Sequence, residues 1–162
     1  MRRVVLVLLI VFVAVSSAGR AQAPAAPAAP AHTGMLPAEI KWGPGPPALP
    51  PGAQAAVLAG DPGKEGLFVI RAKLPAGYKV PPHWHPVDEY VTVLSGTLQF
   101  GMGDKVDAAS MRSLTAGSFV TAEKEMRHYV QAKGPTVIQV SAMGPFAITY
   151  VNQADDPRNK TQ

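Results

Sequence analysis

The sequence predicts an all-β domain, a β-sandwich or a small β-barrel, and three observations predict it. From Ala53 onward, short apolar runs recur about every eight to twelve residues. Turn-forming clusters separate them: DPGK, LPAG, SG, GDK, KGP and MGP. No window of helical length sustains a 3.6-residue apolar period; DAASMRSL, 107–114, offers one helical turn at most. A chain of 162 residues suits one compact domain and is short for two.

The N-terminus precedes that pattern. Arg2 and Arg3 lead into the unbroken apolar run Val4–Val15, and small residues follow at 16–19. This is the layout of a secretory signal peptide over residues 1–23, with cleavage expected after Ala18, Ala21 or Ala23. The run is shorter than the roughly 20 residues that span a bilayer as a helix. An uncleaved anchor is the alternative. The expected location is periplasmic or secreted, with no membrane contact after cleavage.

Residues 24–52 read as a Pro/Ala/Gly-rich linker with an N-terminal arm: PAAPAAPA, then MLPAEIKW as a short strand or plain linker, then GPGPPALPPG. His32 lies in this spacer and receives no role. Nine strand-like runs follow: AQAAVLAG, GLFVIRAKL, YKVPPHWHP, DEYVTVLSG, GTLQFGMG, GSFVTAE, RHYVQA, PTVIQVSA and PFAITYVN. The last residues, 153–162, read as a polar, frayed C-terminal tail.

Charge excludes some functions. The formal net charge is +4, but loss of Arg2, Arg3 and Arg20 with the signal leaves 12 basic against 11 acidic side chains. A nearly neutral protein gives no case for nucleic acid or an anionic membrane. The absence of cysteine excludes disulfides, thiolate ligands and a thiol nucleophile. Any metal site must be built from nitrogen and oxygen.

Two of only four histidines stand one residue apart in GYKVPPHWHPVDEYVTVLSG, 77–96. Alternate residues of a strand share a face, so His83 and His85 project together with Trp84 opposite. Pro81, Pro82 and Pro86 stiffen the backbone that presents them. The turn 86–88 reverses the chain, and Glu89 is expected to face back across the ladder toward the pair, with a hairpin at Ser95-Gly96. His128, the one other histidine in a strand-like run, is the expected fourth member. Three imidazoles and a carboxylate suit a divalent transition metal, Zn, Fe, Mn, Ni or Cu, rather than an all-oxygen ion. A bare H-x-H is more often an ordinary surface or core pair; the glutamate, the prolines and the remote third histidine carry the metal reading.

The same stretch resembles the first cupin motif: Gly77, His83, His85, Glu89 and Gly96 match every position. Gly117 and His128 match the second motif, but Glu123 and Glu125 replace its Pro and Gly, and Ala132 its Asn. Glu125 at a glycine position predicts a turn of different geometry there. The resemblance implies a small single-domain, jelly-roll-like, double-stranded β-helix barrel over residues 53–152. It also implies a metal inside the barrel on His83, His85, Glu89 and His128. Activities in that family include flavonol dioxygenases, oxalate oxidases and decarboxylases, and sugar or keto-acid isomerases and lyases. The expected function is a metal-dependent enzyme, dioxygenase-like or lyase-like, on a small, partly apolar organic molecule. The alternatives are a non-catalytic binding or sensing module whose metal is structural, and a scaffold without metal. A homodimer through edge strands and the 32–50 arm is expected. Trp84, Tyr90, Phe119, Met126, Tyr129, Phe146 and Tyr150 read as core or sheet packing more readily than as pocket lining.

Overall fold

A strand with one apolar face buries it only against another layer, so two antiparallel sheets of such strands stack face to face. The computed structural model describes residues 34–160 and shows this arrangement. The predicted signal peptide, the Pro/Ala spacer 24–31 and His32 lie outside the described residues. A six-stranded sheet runs β1 (Gly43–Pro44), β2 (Gln54–Ala59), β3 (Gly66–Leu74), β10 (Thr136–Gly144), β5 (Glu89–Ser95), β8 (Phe119–Ala122). A five-stranded sheet faces it in the order β11 (Thr149–Tyr150), β4 (Lys79–Trp84), β9 (His128–Ala132), β6 (Thr97–Met102), β7 (Arg112–Thr115). This is the double-stranded β-helix. No described helix is long and apolar enough to cross a membrane.

The inward faces follow the period of two. In β10, Thr136, Ile138, Val140 and Ala142 are buried and their neighbours are not. Val91, Val93 and Val140 join Leu98, Phe100 and Tyr150 in one core between the sheets. Burying an aliphatic or aromatic side chain contributes roughly 1.5–3 kcal/mol, so these strands hold the barrel more than any polar contact does.

Two local expectations are corrected. Ser95-Gly96 does not close a hairpin: β5 pairs with β10 and β8, whereas β6 pairs with β9 and β7. The chain passes from one sheet to the other at Gly96, which has φ of 79°. A Cβ there would lie 2.4 Å from the Pro135 carbonyl oxygen. The segment 107–114 is not a helical turn throughout. After turns at 108–110, its last residues enter β7, where Leu114 is buried opposite Leu98. One inward leucine between polar residues is an edge-strand pattern that a short helical turn mimics.

The ends of the domain are packed. A 3-10 turn, Pro37–Glu39, leads to buried Ile40. Gly43 and Pro44 pair with β2, and Lys73 lies 4.0 Å over the Trp42 ring. Ala48 and Leu49 pack on the core. Tyr78 donates its hydroxyl hydrogen to the Pro50 carbonyl and Tyr150 to that of Ala48. Proline gives up its N–H but keeps its carbonyl, so this proline-rich arm is held by donors from the barrel. The C-terminal residues read as a frayed tail form two 3-10 turns, at 153–155 and 157–159, around buried Asp156.

Gly96→Ala combines a positive φ with a backbone clash. It is expected to destabilise the protein by about 2 kcal/mol or more, read from chemical denaturation.

Candidate metal centre

The register of the five-stranded sheet builds the centre. His83 in β4 lies directly opposite His128 in β9, with ring centroids 4.2 Å apart. His85 follows the end of β4. Its ring lies 5.0 Å from that of His83 and 5.2 Å from that of His128. All three are buried. One nitrogen from each lies within 4.8 Å of the other two.

Glu89 joins them by a different route from the one expected. β4 and β5 belong to opposite sheets, so Glu89 reaches the histidines across the barrel and not across a ladder. Its Oε2 lies 3.6 Å from His85 Nε2 and 3.5 Å from His128 Nε2. The structure thus brings together all four residues singled out in the sequence.

Backbone carbonyls orient the rings. Nδ1 of His83 donates to Pro81 O at 2.7 Å, that of His85 to Ala147 O at 2.8 Å, and that of His128 to Met126 O at 3.0 Å. A carbonyl only accepts, so each Nδ1 carries the proton and each neutral ring keeps a lone pair on Nε2. His85 Nε2 is buried without a hydrogen-bond partner. A buried nitrogen with nothing to bind costs about 1–3 kcal/mol, and a cation between the rings would satisfy it. Ligand atoms about 2.0–2.1 Å from one ion lie no more than about 4.2 Å apart, and the 3.5 and 3.6 Å separations between Glu89 Oε2 and the His128 and His85 nitrogens meet that limit. The donor set therefore fits a divalent transition metal, with the second ring nitrogen of each histidine already anchored as such sites require.

Electrostatics favour the ligand forms. Burial, then the nearby His128 and His85, push His83 down to about 3, so it is neutral. Burial pushes the Glu89 carboxyl up, but the adjacent His128 and His85 rings, 3.5 and 3.6 Å from its Oε2, outweigh it and hold the group well below the usual carboxylate range. A neutral imidazole and an ionised carboxylate are the states that bind a cation.

The turn before His128 does not differ as expected. Glu125 adopts φ of 62°, the left-handed conformation that glycine provides in the family motif. Its N–H donates to His85 O at 2.8 Å, and Met126 N–H donates to Glu123 O. Asp88 accepts from Lys124 N–H at 2.7 Å. These bonds over-determine a backbone that glutamate adopts at a cost of about 1–2 kcal/mol.

The four side chains open onto a cavity of about 490 Å³ lined mainly by aliphatic residues, among them Ile70, Val91, Leu98 and Val140. Phe146 stacks on His85 at 4.3 Å and 23°, and Phe100 on His128 at 5.4 Å and 16°. Phe146 lines the cavity, in contrast to its reading as packing. Tyr90 and Phe119 stack on each other, both exposed. Leu49 of the arm and Arg158 of the C-terminal segment also line the cavity, and sequence reasoning passed over both. Neither stands at a motif spacing, and the composition of GPGPPALPPG and DDPR carries no signal of a cavity wall.

Fold and site define a small β-barrel with an inward cluster of histidines and a carboxylate, open to an apolar chamber. The Cupin domain family matches over residues 70–142, and the chain belongs to the cupin superfamily as a small cupin domain. The fold is similar to that of a putative acetylacetone dioxygenase from Methylibium petroleiphilum, with TM-score 0.61 and 20% identity, over 80% of this chain and 88% of that one. It is similar to the polyketide cyclase RemF from Streptomyces resistomycificus, with TM-score 0.60 and 17% identity, over 79% and 91%. It also resembles an RmlC-like cupin from Shewanella frigidimarina, with TM-score 0.55 and 12% identity, over 70% and 91%. Comparison with the curated proteins gives no match.

Two outcomes follow from this geometry. Glu125→Gly removes the left-handed cost and is expected to raise the denaturation midpoint, or at worst leave it unchanged, because the same N–H still reaches His85 O. In metal-free protein, His83 binds its proton more weakly folded than unfolded, and so does Glu89. The unfolded chain therefore takes up more protons as pH falls below about 6.5. Stability is expected to drop on the order of a few kcal/mol between neutral pH and about pH 3–4, measured by denaturant titration across that range.

Proposed function

We propose that the protein is an exported, metal-dependent enzyme, dioxygenase-like or lyase-like, that acts on a small, largely apolar organic molecule. The metal is held by His83, His85 and His128 through Nε2 and by Glu89 through its carboxylate. The observation that carries this reading is the position of the cluster: it lies on the wall of a chamber of about 490 Å³, where a ligand-sized molecule has room beside it. A metal that only braced the fold would sit in a closed shell within a filled barrel.

When bound, a divalent ion supplies Lewis acidity toward a substrate oxygen, or the one-electron chemistry of a dioxygenation. The chain's own groups do the rest. Three Nδ1–carbonyl bonds hold the imidazoles in their ligating tautomer. Phe146 and Phe100 keep two of those rings from rotating. The aliphatic walls exclude water and take the apolar body of the substrate. Glu89, ionised and lining the chamber, is the carboxylate placed to accept a substrate proton when it is not bound to the metal. The donor set, together with the activities that the cupin resemblance implies, supports this reaction class.

The test is elemental analysis of natively exported protein, with a His83→Ala, His128→Ala double variant alongside. The wild type is expected to carry about one transition-metal ion per chain, and the variant close to none while keeping its β-sheet circular dichroism. A screen of small carbonyl and aromatic compounds under air and under nitrogen then separates a dioxygenase, which needs air, from a lyase, which does not. Folded wild type that takes up none of zinc, iron, manganese, nickel or copper would overturn the proposal.

A further inference from the structure

We infer that Arg158 is a specificity-determining anchor for the cavity, selecting an apolar molecule that carries a single carboxylate. Among the described residues lining the chamber it is the only permanent cation, in walls that are otherwise aliphatic, aromatic or part of the histidine–glutamate cluster. Its side chain is 44% exposed, which places the guanidinium at the mouth and not in the core.

The guanidinium is held by its own neighbours and is not fully used by them. Nε donates to Asp156 Oδ1 at 2.8 Å; Nη2 donates to Asp156 Oδ2 at 2.7 Å and to Ile148 O at 3.0 Å. That accounts for three of the five N–H donors of an arginine. Nη1 makes no hydrogen bond among the described residues. Asp156 is buried and accepts from Arg158 N–H as well, so its carboxylate is committed to this pairing. The result is a planar donor group fixed in place with Nη1 left for a ligand. An anchor oriented before binding loses little freedom when the ligand arrives.

The anchor and the metal centre hang from one short segment. Ala147 O receives the His85 ring and Ile148 O receives Arg158. Both groups line the same chamber, so one bound molecule can meet both. Because Asp156 cancels most of the long-range charge of Arg158, attraction comes from the directed Nη1 donors, and a carboxylate oxygen takes a charge-assisted hydrogen bond from one of them. In the metal-free chamber a second carboxylate meets no other permanent cation among the described lining residues and faces Glu89, so a monocarboxylate is favoured there. This deepens the enzymatic reading and relies on it only for the chemistry at the histidines.

The test uses metal-free protein, so that it stands apart from metal binding. Hexanoate, hexanamide and adipate are titrated at pH 8, where free histidine is neutral, and followed by NMR shifts of cavity residues. Wild type is expected to bind hexanoate about ten-fold or more tightly than hexanamide or adipate. The preference should fall to near unity in a D156A/R158A double variant, which removes both charges and leaves none buried alone. It should fall several-fold in R158K, which keeps the charge but loses the planar donor that Asp156 holds in place, and which serves if the double variant does not fold. Equal binding of hexanoate and hexanamide by wild type, or a preference kept in R158K, would overturn the inference. Metal content of the untreated protein reports separately on the metal proposal, so loss of either leaves the other standing.

Discussion

The pairing of β4 with β9 is the constraint on which the site depends. Its register sets His83 opposite His128 and aligns Met102 of β6 with His128 on the far side. Side chains alternate faces with a period of two, so a slip of one residue would turn His128 out of the barrel and destroy the cluster. The slip is opposed on several sides. Buried Val80 and half-buried Val130 pair in the same ladder, Tyr129 packs against Gly101, and the Glu125 N–H bond to His85 O ties the turn before β9 to the end of β4. A hydrophobic ladder thus fixes the position of polar groups that do not stabilise the fold themselves.

Burying three imidazoles and a carboxylate costs free energy, and the protein offsets only part of it. Each Nδ1 finds a carbonyl, but His85 Nε2 has no partner. Buried polar groups left unmatched are uncommon and concentrate where a ligand completes them. Glu125 in the left-handed region is a second local cost beside the same residues. Both lie in the loops that connect sheet to sheet, while the strands themselves follow ordinary alternation. Stability and function are therefore carried by different parts of the same short strands.

The chamber is shaped from outside the barrel as much as from within. The arm closes on it through Leu49, fastened by Tyr78 and Tyr150, and the C-terminal turns bring Arg158 to its edge. Burial pushes the Tyr78 hydroxyl up to about 12, and both phenols keep their protons to donate. Segments with little regular structure are the ones that set the size and polarity of the mouth. They are free to differ without disturbing the sheet ladders, which is why loops so often carry specificity on a conserved type of scaffold.

By itself the sequence determined the all-β class and the strand runs. His83, His85 and Glu89 were legible from local spacing, because strand alternation is a short-range rule and proline and glycine punctuate it. His128 was legible by scarcity, as the last histidine in a strand-like run. What only the tertiary structure decided depends on which strands meet. Gly96 joins two sheets where a hairpin was expected, and Glu89 approaches from the opposite sheet. Glu125 takes a conformation that its residue type disfavours, held by a bond to a carbonyl forty residues away in the chain. Leu49 and Arg158 become cavity walls only after the two ends of the domain fold back on it. Contacts of that range leave no periodicity behind, and composition alone reads a proline-rich arm and a polar tail as solvent-exposed chain.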